Sequence, residues 1–297
     1  MKVVVIGSSI AGHTVATELR QAHQDCSITL ITQSPYPAYD KRKFLDYLTG
    51  VVKEKDLFLV QPDFYQQHNI NFLKEYKAVA VAPVRKQVSY KNKTDRRETV
   101  DYDLLVVCSG TKTVLPEVDG IHKDGIYTLD SLPEYKEFRS HLISDPVCIM
   151  GSGSGALSVA HALALKHKEV KVISSGLSAG ISQDSAVEIL ATDVVELIGE
   201  AGIQAIRLRE GKIIGTSLPV YMPEPKNANI DFLRDLVIEF ESGRISVDDA
   251  MRTSAANIYA AGSVCVNKTR PNTDKSWDDV IIESKICAES LVHAMGG

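Results

Sequence analysis

The sequence predicts an α/β protein built from two parallel-sheet domains, the second inserted in the first. Three observations carry this. The apolar run Val3–Ile6 leads into Gly7-Ser8-Ser9-Ile10-Ala11-Gly12 and then into a helix-like stretch. The same arrangement recurs where Val147–Met150 leads into Gly151-Ser152-Gly153-Ser154-Gly155-Ala156. Late in the chain, Ile258–Ala261 reads as a strand returning to the first domain and ends in Gly262-Ser263-Val264. Strand, glycine turn, helix and strand in series describe a parallel sheet with right-handed crossovers. Each glycine pattern is that of a Rossmann-like dinucleotide-binding domain.

Taken in order, residues 2–6 read as a strand, 11–23 as a helix and 27–32 as a second strand. Pro35-Tyr36-Pro37 breaks regular structure and opens a basic loop, Asp40-Lys41-Arg42-Lys43. A helix is expected near 61–67, with strands near 70–73 and 77–81. Residues 84–102 alternate about a polar tip at 91–95, a small β-hairpin or meander. Leu104–Cys108 is a strand ending in Ser109-Gly110. The second unit begins near 113, with a strand at 147–150, a helix at 154–166, a strand at 169–174 and a helix around 186–200. Short strands fill 203–222, and Met222-Pro223-Glu224-Pro225 is a loop. A short strand is read at Ser246–Val247. The last helix, 277–295, carries Val280, Ile281, Cys287, Ala288, Leu291 and Val292 at roughly helical spacing.

At 297 residues the chain is long enough for two cores, and 44% hydrophobic residues is ordinary for a globular protein. A net charge of −5 argues against nucleic acid as a partner. No run approaches membrane-spanning length, and Val3–Ile6 is too short for a signal peptide. The five cysteines are scattered without a C-x-x-C pair, which signals neither zinc nor a local dithiol. They read as reduced, mostly buried thiols of a cytoplasmic protein.

In the first glycine pattern, Gly7 permits the tight strand-to-helix turn and Gly12 lets helix and strand approach. Position 9 must be small for a pyrophosphate to come near the backbone. Ser9 keeps this in weakened form, and a bare strand-to-helix turn with no ligand is the competing reading. Unpaired N–H groups at the helix start and the helix dipole favour phosphate there.

The order of these motifs resembles the FAD/NAD(P)-dependent pyridine nucleotide–disulfide oxidoreductases, in particular the rubredoxin reductase, ferredoxin reductase and nitrite reductase flavoprotein branch. Val3–Gly12 looks like the FAD fingerprint. Tyr39–Gly50 is similar to that branch's Y-x-R-P-x-L-S-K-x-x-L-x-G segment, one residue shorter. Tyr102–Gly110 resembles Y-D-x-L-V-x-A-T-G, and Met251–Ser254 with Asn257–Val264 resembles M-R-T-S…N-I-Y-A-A-G-D-V. The resemblance spans nearly the whole chain. It implies a discontinuous FAD-binding domain, 1–112 and 240–297, and a shortened NAD(P)-binding-like domain, 113–239. It further implies FAD contacts from Gly7, Ser9, Ile10, Ala11, Gly12, Thr32, Gln33, Lys41, Arg42, Val79, Cys108, Ser109, Gly110, Gly262 and Ser263, and NAD(P) contacts from Gly151, Gly153 and Ala156. No catalytic side chain or metal is assigned, because the chemistry would reside on the flavin.

The departures matter as much. Thr32 stands where the family has an acid for the adenosine ribose, and Ser263 where it has the Asp of the closing motif. Asp46 replaces the Lys of the L-S-K step, and Ser158 the Glu after the second fingerprint. Ser174-Ser175 ends the following strand with neither an acid for NAD nor a cation for NADP. The second A-T-G-x-x-P motif is reduced to Tyr221–Pro225. Redox cysteines are missing from both family positions, and a C-terminal interface domain is not expected. The leading expectation is an FAD-dependent electron-transfer oxidoreductase, fed by NAD(P)H or by a partner subunit and passing electrons to an iron–sulfur or other redox protein. The alternative is a non-catalytic nucleotide-binding or scaffold subunit whose nicotinamide site has degenerated. The nicotinamide preference and the oligomeric state stay open.

Overall fold

The structure, a computed structural model, describes residues 1–142, 146–166, 169–177, 180–181, 187–224 and 226–296. Its helices are α1 (Ile10–Ala22), α2 (Phe44–Thr49), α3 (Phe64–Gln67), α4 (Leu132–His141), α5 (Ser154–Ala164) and α6 (Trp277–Ala294). The chain divides into two compact units. The first comprises Met1–Asp40, Phe58–Lys112 and Asn227–Gly297, and the second Lys41–Leu57 and Thr113–Lys226.

The first unit is organised around a five-stranded parallel sheet, in the spatial order Ile258–Ala260, Leu104–Val107, Lys2–Ile6, Ser27–Thr32, Ile70–Lys74. Its inner strands are buried on both faces, which explains why they read as unbroken apolar runs. α1 and α6 pack against each other. α1 buries Ala11, Val15, Ala16 and Leu19, and α6 buries Cys287, Ala288 and Leu291. At the end of α1 the buried Arg20 donates to the carbonyls of His23, Cys26 and Asn69, which fixes the turn into the second strand. Lys77–Ala82, Gln87–Lys91 and Arg97–Asp101 form an antiparallel meander. A smaller sheet joins Phe240–Glu241, Arg244–Val247 and Cys265–Asn267. Where the chain leaves and re-enters this unit, Thr111–Lys112 pairs antiparallel with Asn227–Ala228.

The second unit repeats the theme. Its sheet runs Gly180–Ile181, Val187–Leu190, Val170–Ile173, Val147–Met150, Leu218–Tyr221, parallel except for the first strand. α5 covers it with Ala156, Val159, Ala160 and Leu163. A three-stranded antiparallel sheet, Val194–Ile198, Ala205–Leu208 and Ile213–Gly215, closes a separate core with Ile121, Ile173 and Leu197.

The structure corrects several expectations. The helix read around 186–200 is two strands, Val187–Leu190 and Val194–Ile198. Five of those nine residues are Val or Ile, whose stiff branched side chains fit a pleated surface better than a helix. The helix near 61–67 shrinks to α3, because Pro62 precedes it. The stretch after the basic loop holds a helix, α2, and another, α4, lies at 132–141. The unit limits also differ from the expected ones. Residues 41–57 join the second unit, where α2 packs on α4 and α5. Residues 227–239 join the first, where Asn227–Ala228 pairs with Thr111–Lys112 and the turn Asp231–Leu233 packs on Lys77–Ala82.

Candidate dinucleotide sites

In the first unit the glycine turn is a backbone cradle. Gly7 has φ +104°, and a Cβ built there would lie 2.2 Å from the Cys108 carbonyl oxygen. A Cβ on Gly12 would lie 1.8 Å from the Gly7 oxygen. Neither position accepts another residue without moving backbone. Ser9 precedes α1 in an extended conformation and its side chain makes no capping bond, so the first N–H groups of α1 stay available for an anion. The strand end and the closing motif meet at the same place. A Cβ on Gly262 (φ +86°) would stand 2.9 Å from the Ala11 Cβ, and one on Gly110 (φ +68°) 3.6 Å from the Ser263 hydroxyl. Ala11, Gly110, Gly262 and Ser263 therefore converge on the start of α1. Ser109 Oγ donates to the Asn229 carbonyl at 2.6 Å, and Asn229 N to that of Gly110 at 2.9 Å, which anchors this rim.

Further along the sheet, Thr32 is buried at the end of its strand, its hydroxyl accepting from Ser34 N at 3.2 Å, and Gln33 is exposed. Val79 is the extra residue of a β-bulge between Ala78 and Ala80. A bulge leaves the backbone groups of its extra residue outside the ladder. Cys108 is buried, and desolvation with Cys265 nearby pushes its thiol far above the usual range. It packs as a small apolar residue and is no nucleophile.

The partners of two residues here escaped the sequence reading. Lys275, its side chain only 2% exposed, donates to the Gly262 carbonyl at 3.2 Å and pairs with Glu283 of α6 at 2.6 Å. It ties the closing turn to α6. His13, just inside α1, contacts the Tyr65 hydroxyl through Nδ1 at 3.0 Å, and burial lowers its pKa to about 4. A lone Lys before a helix and a lone His within one carry no signal until the fold supplies their partners.

Lys41 and Arg42 belong to the second unit, on the turn Lys41–Lys43. Lys41 Nζ donates to the Asp130 carbonyl at 3.1 Å. Asp130 also accepts from Thr113 N at 2.8 Å and pairs with Lys226, so it joins the two ends of the inserted segment. Asp46 is exposed on α2.

The second glycine turn repeats the first with one addition. A Cβ on Gly151 would stand 2.2 Å from the Met222 carbonyl oxygen and 3.4 Å from the Ala156 Cβ. The Glu224 carboxylate lies 2.0–2.5 Å from where a Gly153 Cβ would be, and its Oε1 accepts from Gly155 N at 3.4 Å. A cavity of about 410 Å³ adjoins, with Gly151, Ser152, Ser174, Asp193, Arg209 and Glu224 among its lining. Asp193 accepts from Ser175 N at 3.3 Å and pairs with Arg209 at 2.9 Å. The Ser175 hydrogen bond, with the Arg209 pair, holds its carboxyl below the usual range. An acid from the neighbouring loop thus stands beside Ser174-Ser175, where the sequence offered none. Ser158 Oγ is turned back onto the Ser154 carbonyl at 2.8 Å.

The sequence model of the pyridine nucleotide-disulphide oxidoreductases matches residues 1–281. The chain belongs to this family. An NADH oxidase of Methanocaldococcus jannaschii is 22% identical over 286 residues, covering 90% of this chain and 63% of the relative. The assimilatory nitrate reductase electron transfer subunit of Bacillus subtilis is 26% identical over 282 residues, covering 88% and 35%. The chain thus spans about one to two thirds of these relatives' lengths. Among solved structures, the covalent putidaredoxin reductase–putidaredoxin complex superposes with a TM-score of 0.87 at 20% identity, covering 98% of this chain and 75% of that one. Two Rossmann-type units are thereby the fold of the family.

The first-unit cradle fits an FAD of this family. Gly7, Gly12 and Gly262 have no room for a Cβ, which keeps the turn and the closing segment tight against the start of α1, and that start is uncapped. Among the described residues no three His, Cys, Asp or Glu side chains are grouped to hold a metal, and no helix is long and apolar enough to cross a membrane.

Proposed function

We propose that this chain is an FAD-dependent electron-transfer oxidoreductase, taking electrons from NAD(P)H or a partner subunit and passing them to an iron–sulfur or other redox protein. The observation that carries the reading is the convergence of Ala11, Gly110, Gly262 and Ser263 on an uncapped helix start, in a chain of this family. In this reading Ser9–Gly12 hold the pyrophosphate. Thr32 and Gln33 meet the adenosine ribose, and the Val79 backbone the adenine. Cys108–Gly110 and Gly262–Ser263 line the ribityl and ring end. Gly151, Gly153 and Ala156 serve the nicotinamide dinucleotide. Bound flavin would supply the exchange between a two-electron donor and one-electron acceptors, and the protein supplies binding, orientation and field. The electron-transfer role named for the Bacillus subtilis relative supports a partner protein as acceptor. The reading places the protein in the cytoplasm.

A second reading, a non-catalytic nucleotide-binding or scaffold subunit, draws on Asp46, Ser158 and the Glu224 carboxylate on the second fingerprint. The absorption spectrum separates them. Flavin bands that bleach with NADH or NADPH without oxygen are expected for the first reading with NAD(P)H as the donor. Bands that bleach only with dithionite favour a partner-fed subunit, and a colourless protein that takes up no FAD favours the scaffold.

A further inference from the structure

The second fingerprint already has an anion on it. Its glycines make the short, bare turn that a dinucleotide pyrophosphate needs, and α5, eleven residues long, starts without a side-chain cap of its own. The Glu224 carboxylate stands where that pyrophosphate would come, against Gly153, with Oε1 facing Gly155 N. A carboxylate and a phosphate compete for the same N–H groups and dipole end. The geometry that brings Glu224 there is firm. Met222 N donates to the Met150 carbonyl at 2.9 Å and Tyr221 N to that of Tyr127 at 2.7 Å, so the segment leaving Leu218–Tyr221 must cross the turn. Gly151 is bare because the Met222 carbonyl crosses it.

The adjoining cavity is an independent sign that a ligand belongs here. Its 410 Å³ lie between the fingerprint, at Gly151 and Ser152, and the Asp193–Arg209 pair beside Ser174. One end is therefore backbone suited to phosphate, and the other a carboxylate suited to ribose hydroxyls. Glu224 lines the same cavity.

We infer that Glu224 is an affinity-setting residue of the nicotinamide dinucleotide site. Its carboxylate fills the pyrophosphate position of the second unit and must leave before NADH or NADPH enters. The inference rests on the proposal that this unit binds such a dinucleotide. The apparent dissociation constant is then the intrinsic one divided by the fraction of molecules in which Glu224 has swung out. Among the described residues the swing breaks one long hydrogen bond, and Glu224 is exposed. Binding is weakened but not abolished, and it is restored by removing the charge.

The test is calorimetric titration of the FAD-loaded protein with NADH, NADPH and ADP-ribose, comparing wild type with Glu224→Gln and Glu224→Ala. Glu224→Ala is expected to bind ADP-ribose and the preferred dinucleotide about tenfold more tightly, equal to about 1.4 kcal/mol. Glu224→Gln, which keeps the shape and loses the charge, should lie between. Without nucleotide, Glu224→Ala should melt lower than wild type, having lost the anion at the start of α5, and the order should reverse at saturating ADP-ribose. Wild type that binds as tightly as both variants would overturn the inference and leave the dinucleotide site standing. Variants that bind more weakly than wild type would do the same, showing Glu224 to be a ligand contact. If neither wild type nor either variant binds any of the three probes while the flavin stays bound, the nicotinamide reading of the second unit falls, and the inference with it.

Discussion

At Gly7 and His13 single atoms decide what the first fingerprint can do. Gly7→Ala would put a methyl group 2.2 Å from a backbone oxygen, at a φ of +104° that side-chain-bearing residues avoid. We expect it to cost about 3 kcal/mol or more and to abolish flavin retention. Gly215→Ala is the control, since no heavy atom lies within 4 Å of its Cβ position, and it should leave melting and flavin content nearly unchanged. His13 gives a pH dependence of stability. Burial lowers its pKa from the ordinary 6.5 to about 4 in the folded protein. As pH falls below 6.5 the unfolded chain takes up the proton first, so folding loses stability down to about pH 4 and none from this group below that. The loss is about 2–3 kcal/mol. His13→Gln should remove that slope in denaturant titrations at pH 7 and pH 4.5, and an unchanged slope would refute the assignment. The glycines were legible in the sequence because only sterics speak there. The partners of His13 were not, since Tyr65 comes from a helix 52 positions away.

Lys275 and Glu283 act between elements. The pair joins the closing turn to α6 in a place where Lys275 is almost wholly enclosed. Burial pushes the Glu283 carboxyl up and the Lys275 bond pulls it back, so the pair carries its own desolvation cost. Lys275→Met leaves a buried carboxyl without its cation and should cost about 3–5 kcal/mol. The double variant Lys275→Met, Glu283→Leu should cost clearly less than either single change, measured as a double-mutant cycle in urea. Additive losses would show two independent contacts. Flavin content should follow the turn, falling in Lys275→Met and in the double variant alike, because both lose the bond to the Gly262 carbonyl. The strands around the two fingerprints could be read directly, because doubly buried parallel strands are continuous apolar runs bounded by glycine. Val187–Ile198 could not, because short mixed apolar and polar segments suit either period, and the strands that claim them lie elsewhere in the chain: Val170–Ile173 for Val187–Leu190, and Ala205–Leu208 for Val194–Ile198. The bulge at Val79 and the loop acid Asp193 were hidden for the same reason: both are properties of pairing.

For the molecule as a whole, the motif order revealed the fold and the family, whereas the state of each site had to come from three dimensions. The first cradle is open and the second carries a carboxylate, although both glycine patterns read alike. The chain offers a built-in reporter for this difference. Its single tryptophan, Trp277, begins α6 in the first unit, two residues after the Lys275 that holds the closing turn. A ligand that binds only the native state stabilises it by RT ln(1 + [L]/Kd), about 2.7 kcal/mol at a hundredfold excess over Kd. Stripping the flavin should therefore lower the melting midpoint read from Trp277 fluorescence, and adding back FAD at that excess should restore it and quench the emission. NADH added to the stripped protein at the same concentration should move the Trp277 midpoint far less, because its fingerprint is the occupied one in the other unit. If NADH instead raised the Trp277 midpoint as strongly as FAD does, the assignment of the two cradles to two different dinucleotides would be wrong.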